Sequence, residues 1–190
     1  MSAIQTYEGF SPMRGHQFAS NDEAVAYMKS VAVDASGFTA FLGVEPLRCF
    51  GGESELLLAL RPDMTQHHGY AHGAIVGLMA DNACAWAASS VVGDVVTGSY
   101  TINFLAPAKG IRLRAKGTVI KAGKRQAIVR ADVWAESDGE EPQRCAIAQA
   151  TIVPVAVHAP AAPAPHDESI CHTCAAIEAA HISDPARADA

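Results

Sequence analysis

Residues 66–90 read QHHGYAHGAIVGLMADNACAWAASS, and the reading of this stretch decides the fold. Up to Gly73 it is crowded with imidazoles and turn formers, so 62–73 reads as a loop. From Ala74 the residues turn small and apolar, and 74–90 reads as a helix of about 17 residues. The run is too short and too rich in alanine for a membrane span, and Asp81 sits in its middle. Such a helix can lie very close to whatever it packs on.

Its partner follows in the chain. The runs 95–105, 111–121, 126–136 and 143–157 alternate with the period of two expected for strands. In the first, Tyr100, Ile102 and Phe104 alternate with Thr97, Ser99, Thr101 and Asn103. In the third, Ala127, Val129, Ala131 and Val133 share a face; in the fourth, Ala146, Ala148, Ala150 and Ile152 do. Pro107-Ala108-Lys109-Gly110, Ala122-Gly123-Lys124 and Ser137-Asp138-Gly139 read as turns, and such short joints predict antiparallel neighbours. Upstream, 53–61 is a strand with Leu56, Leu58 and Leu60 on one face, and 38–50 a first strand region broken at Pro46. Asn21-Asp22-Glu23 opens an amphipathic helix that Gly37 ends. The fold class is α+β: one long helix laid across a curved antiparallel sheet.

The chain has 190 residues, 49% hydrophobic and 18% charged, the balance of a globular protein. Acidic residues number 20 and basic ones 14, a net charge of -6, which removes the electrostatic ground for general nucleic-acid binding. The N-terminus lacks the apolar core of a secretory signal. Five cysteines, at 49, 84, 145, 171 and 174, do not form a disulfide framework, and a reducing cytoplasm is the expected setting. Residues 156–190 hold 12 alanines and 4 prolines and few bulky apolar residues, which reads as an appendage. The expected division is an N-terminal helical segment, 1–34, a core domain, 35–157, and a tail, 158–190.

Asp81 is the only charged residue between Ala74 and Ser90. It shares a helical face with Gly77, Leu78, Cys84, Ala85 and Ala88, where a carboxylate loses hydration unless something hydrogen-bonds it. Burial would raise its pKa and make it a better base. A purely structural aspartate bonded to backbone is the competing reading. His72-Gly73 leads into the helix, whose first N–H groups are free to meet a ligand oxygen, and Gly73 permits close approach. Asp81 then lies roughly 13 Å along the axis from His72, too far for one carbonyl, so a partner subunit is expected to complete the site.

The stretch Gln66 to Ala74 with Leu78-Met79-Ala80-Asp81 resembles the signature of hotdog-fold acyl-CoA thioesterases of the phenylacetate-pathway (PaaI-type) group. Thr97 to Lys109 resembles the strand after that family's central helix, and Gly123-Lys124-Arg125 its next basic hairpin. The resemblance spans roughly 35–155, by motif order. It implies a central helix wrapped by a five- to six-stranded antiparallel sheet, as a homodimer or homotetramer. It also implies an acyl-CoA thioesterase with Asp81 as nucleophile or general base and Gly73 as the backbone oxyanion donor. Gln66 is implied to orient water or polarise the carbonyl, and Thr97 to assist. Gln66 and Gly73 would come from one subunit, Asp81 and Thr97 from its partner. Ala74 stands where many members have a second glycine, and with Ser99 is expected along the substrate.

No cofactor is expected beyond coenzyme A as part of the substrate, and no metal. Lys109, Lys124 and Arg125, at strand ends, are expected to meet its phosphates. Arg112, Arg114 and Lys116 line one strand face, with a solvated sheet face as the bland alternative. His72 is expected to fix the loop, with His67 and His68 at the edge of the acyl pocket; their spacing does not match a zinc pattern. Met79 and Trp86 read as core. Cys171-His172-Thr173-Cys174, with His166 and His181, is weak as a metal or redox site. Two alternatives stand: a hydratase or dehydratase of enoyl thioesters, with His72 as its best residue, and a non-catalytic acyl-CoA-binding module.

Overall fold

The computed structural model describes residues 18–34 and 37–155. The chain divides into two units, Met1–Ala156 and Val157–Ala190, and the second lies outside the described residues, as does the Cys171/Cys174 cluster.

Three short helical pieces come first. Helix α1 spans Asn21–Met28 and is capped by Ser20, whose hydroxyl accepts from Glu23 N at 3.3 Å. The chain then widens to a π-helical turn, Lys29–Asp34, so the single helix expected from Asn21 to Gly37 is not what forms. Gly37 opens helix α2, Gly37–Leu42, instead of ending a helix. The expected strand over 38–50 is therefore corrected to strand β1, Glu45–Phe50. Gly43, at φ 77, closes α2 by donating to Ala40 O and Thr39 O, a glycine stop that a short apolar run hides.

Strand β2 is Glu53–Ala59 and α3 is Gly73–Val92. Strands β3 to β6 are Val95–Phe104, Arg112–Ala122, Ala127–Glu136 and Gln143–Pro154. All six strands form one antiparallel sheet in the order β1-β2-β4-β5-β6-β3. Two of the three later joints do link neighbours. The joint after β3 does not: it crosses over to β4, while β3 pairs with β6 at the sheet's edge. Its Ala108 O accepts from Ala71 N at 2.9 Å, tying the crossover to the loop before α3.

Helix α3 lies on the sheet's inner face. Leu56, Leu58, Leu113, Ala127, Val129, Ala131, Val133, Ala146, Ala150 and Ile152 meet Met79, Ala80, Ala83, Cys84 and Ala87 in one core. Small residues on both sides bring helix and sheet unusually close. A Cβ at Gly117 would sit 2.2 Å from Ala83 O. Buried Ser54 bridges the two layers, donating to Ala83 O at 2.6 Å and accepting from Gly117 N at 3.2 Å. By length and composition α3 could cross a bilayer, yet it is this core helix, with 56% of its most apolar window buried in the fold.

The two sheet edges differ. The Asn21 side chain covers β1: its Nδ2 donates to Leu47 O at 3.4 Å, and its Oδ1 accepts from Cys49 N at 3.2 Å. Among the described residues no strand lies outside β3.

Candidate active site

Helix α3 and strand β3 run side by side in opposite directions, and three contacts fix their register. Thr97 Oγ1 donates to Asp81 Oδ1 at 2.8 Å. One turn back, a Cβ on Gly77 would lie 3.2 Å from the Tyr100 hydroxyl; another turn back, one on Gly73 would lie 3.5 Å from the Phe104 ring. Gly73, Gly77 and Asp81 thus share the flank of α3 that β3 covers. Asp81 is half-buried among apolar neighbours, with the Thr97 hydroxyl as its hydrogen-bond donor.

Simple alternation sets Thr97 opposite Tyr100 on the strand. That expectation is corrected by a bulge between Thr97 and Ser99, which places both Thr97 and Tyr100 on the helix side. Ser99, next to inward-facing Tyr100 and paired with Thr151, is exposed on the far face of the strand from Asp81.

The helix start is built by the loop. Met64 O accepts from His72 N at 2.8 Å, Thr65 bridges to Ala71, and Gln66 N donates to Tyr70 O at 2.9 Å. Gly69, at φ 77, makes the turn inside that bracket and donates to Gln66 O at 2.8 Å. His72 is the N-cap: its Nδ1 accepts from Ala74 N at 3.1 Å, and its carbonyl accepts from Ile75 N and Val76 N. Gly73 is the first residue of the helix, with an N–H that the helix itself leaves unpaired. Ala74 is exposed beside it and Gln66 is half-buried. The imidazoles of His67 and His68 lie tilted against each other, centroids 3.8 Å apart and planes at 46°, on the exposed part of the loop.

Gly73 and Asp81 are eight residues apart on one helix, about 12 Å along its axis. One chain therefore carries a donor end and an acid end but does not bring them to a common point. The thiol beside Asp81 is no nucleophile: burial, with the Asp81 charge adding, pushes Cys84 up to about 12. Burial likewise lifts Cys49 and Cys145 to about 11.

The cations sort into two groups. Arg112 pairs with Glu136 and Asp138, Arg114 with Glu136 and Glu55, and Lys116 with Glu55. These three are held in ion pairs, with Arg112 and Arg114 half-buried. Lys124 and Arg125 stand exposed on the β4–β5 hairpin, around an open depression shared with Lys121, Gln126 and Ile128. Lys109 is exposed on the crossover. None of these has an ion-pair partner among the described residues. Among the described residues no three potential metal ligands cluster. The bulge is the feature the sequence reading missed; Gly98 inside an alternating strand was its signal.

Comparison with known proteins agrees with this geometry. The thioesterase superfamily matches residues 68–142, from the loop through α3 to the end of β5. A thioesterase family protein from Silicibacter pomeroyi is similar at 29% identity and TM-score 0.64, over 70% of this chain and 97% of that one. The PaaI protein of the E. coli phenylacetic acid degradation operon shares the fold at 19% identity and TM-score 0.63, over 72% and 96%. A hypothetical thioesterase from Streptococcus pneumoniae does so at 20% identity and TM-score 0.52, over 58% and 88%. It has been solved with an aspartate and, separately, a threonine 16 positions further on replaced by alanine. Comparison with curated proteins gives no match. With its long helix α3 on a six-stranded antiparallel sheet, the chain has the hotdog fold, and its residues 68–142 are similar to the thioesterase superfamily.

Proposed function

We propose that the protein hydrolyses acyl-CoA thioesters to a free acid and CoA, as a PaaI-type enzyme, in a site completed by a second copy of the chain. The observation that carries the reading is the Thr97–Asp81 pair on the flank of α3. It is a polar pair in apolar surroundings, on the same helix whose first N–H is free but about 12 Å away. Hydrolysis of a thioester passes through a tetrahedral oxyanion and needs a donor at the oxygen and a nucleophile or base at the carbon, each within about 3 Å. Two chains with antiparallel α3 helices supply both parts, twice. The seam is the uncovered β3 edge, where Val96 is 52% and Phe104 57% exposed. A pair of such dimers makes the tetramer.

Each residue then has one task. The substrate carbonyl oxygen accepts from Gly73 N–H of one subunit, and one such donor is typically worth about 3 kcal/mol. Gln66 orients water or polarises the carbonyl. From the partner, Asp81 either attacks the carbonyl carbon, expelling CoA thiolate to leave a mixed anhydride that water opens, or takes a proton from the attacking water. Thr97 holds one carboxylate oxygen and leaves the other to react. His72 and Ala74 shape the helix tip. Lys124 and Arg125, helped by Lys109, meet the CoA phosphates. The reading needs no cofactor besides the substrate's own coenzyme A and no metal. Three free, buried thiols suit a reducing cytoplasm. The 16-residue interval between Asp81 and Thr97 equals that between the two replaced residues of the S. pneumoniae protein, which supports the pairing.

The test is a panel of acyl-CoAs followed with a thiol reagent, run beside Asp81→Asn. Thiol release by the native chain, lost in the variant, supports the reading. Loss of enoyl-CoA absorbance without thiol release turns it to a hydratase. A thermal shift with acyl-CoA and no turnover turns it to a binding module.

A further inference from the structure

We propose that the state of the β-bulge at Gly98 decides which face Thr97 presents: Gly98 is an extra residue in β3 and takes no part in the chemistry, and only while it stays unpaired does Thr97 reach Asp81. The inference rests on the thioesterase reading for its role, and on the strand register for its geometry. Along β3 and β6, Thr97 pairs with Ile152 and Ser99 with Thr151, so Gly98 has no partner of its own. Ile152 and Ala150 point into the core, and Tyr100, paired with Ala150, lies against Gly77 of α3. Counting back from Tyr100 in steps of two, position 98 takes the helix side and position 97 the far side. One unpaired residue cancels that parity, and Thr97 turns inward to meet Asp81 at 2.8 Å.

Glycine is needed here for room, not for an unusual backbone, because Gly98 is not among the residues with positive φ. A Cβ at this position would sit 3.1 Å from Val153 Cγ2 and 3.3 Å from Thr151 O, both tighter than ordinary contact. A branched side chain at 98 pushes the two strands toward regular pairing. Thr97 then moves opposite Val153 and loses Asp81. Deleting residue 98 has the reverse result. The extra residue and the parity it corrects go together, and Thr97 stays opposite Ile152, facing α3.

The experiment compares Gly98→Val, Thr97→Ala, the double variant and a chain lacking Gly98, by thiol release and by crystal structure. Gly98→Val is expected to lower kcat by about the same tenfold or more as Thr97→Ala, with KM little changed and no further loss in the double variant. The deletion is expected to fold, to keep the Thr97–Asp81 hydrogen bond, and to stay within about threefold of native turnover. Native turnover in Gly98→Val, losses that multiply in the double variant, or a deletion chain that unfolds or turns Thr97 away each overturn the proposal. Should Gly98→Val itself fail to fold, the deletion decides alone. A native chain that releases no thiol from any acyl-CoA sinks the thioesterase reading instead, and the position of Thr97 in the two crystal structures still judges the bulge.

Discussion

Thr97 donates its hydroxyl hydrogen to Asp81 at 2.8 Å, joining an edge strand to the middle of the central helix. Asp81→Asn keeps the shape of the side chain and removes its charge. Turnover is expected to fall about 10²- to 10⁴-fold with the melting temperature preserved. Thr97→Ala is expected to cost roughly tenfold to a hundredfold, the range for a hydrogen bond to a charged group. Equal turnover in native and Asp81→Asn protein takes the carboxylate out of the chemistry.

The β4–β5 hairpin offers a separate test. Lys124→Ala with Arg125→Ala is expected to raise KM for acyl-CoA about thirtyfold, since each of the two lost phosphate contacts is worth on the order of 1 kcal/mol, while kcat holds. A pantetheine thioester without the nucleotide should not distinguish the variant from the native chain. High salt should shrink the difference for acyl-CoA. An equal KM effect on both substrates places these cations somewhere other than on phosphate.

Gly117 marks the closest approach of helix and sheet. Any Cβ there meets Ala83 O at 2.2 Å and Ser54 Oγ at 2.7 Å, so the helix itself must move. Gly117→Ala is expected to lose about 3 kcal/mol of stability or more, read by denaturant unfolding. Ser54→Ala removes the hydroxyl bridge between Ala83 O and Gly117 N and should cost about 0.5–1.5 kcal/mol. A neutral Gly117→Ala would mean that the two layers are looser than described.

Acid stability has an identifiable source. Glu136, buried at 7% exposure, is held below the usual carboxylate range by its hydrogen bond from Arg114, with Arg112 adding and burial opposing. A carboxylate lowered on folding stabilises the protein above its unfolded value, about 4.3, and loses that contribution as pH falls through the lower folded value. Glu136→Gln should therefore be about 2 kcal/mol less stable than native protein at neutral pH. The gap should close below about pH 4. A gap that stays constant from pH 7 to pH 3 contradicts this assignment.

The helix and the inner faces of the strands were legible because burial writes itself as periodicity. Leu56 and Leu58 of β2 and the alanines of β5 and β6 face the core as their spacing predicts. Asp81 stood out because a charge in such a run needs a reason. The strand order was not legible: a seven-residue crossover after Phe104 looks like any short joint, and only pairing of β3 with β6 reveals it. Phe38 to Leu42 misled because a short apolar run suits a helical turn as well as a strand. Thr97 was legible as a candidate, but alternation put it on the face away from the helix, since a one-residue bulge leaves no mark except a glycine.

The amide of Asn21 imitates the peptide group of a neighbouring strand along the outer rim of β1. A polymer grows only if each added unit offers a fresh rim to the next. Here a single side chain at the start of α1 has already filled one rim, so joining through the other ends growth after the first addition. The chain can thus form a closed pair through its backbone without the hazard of fibres.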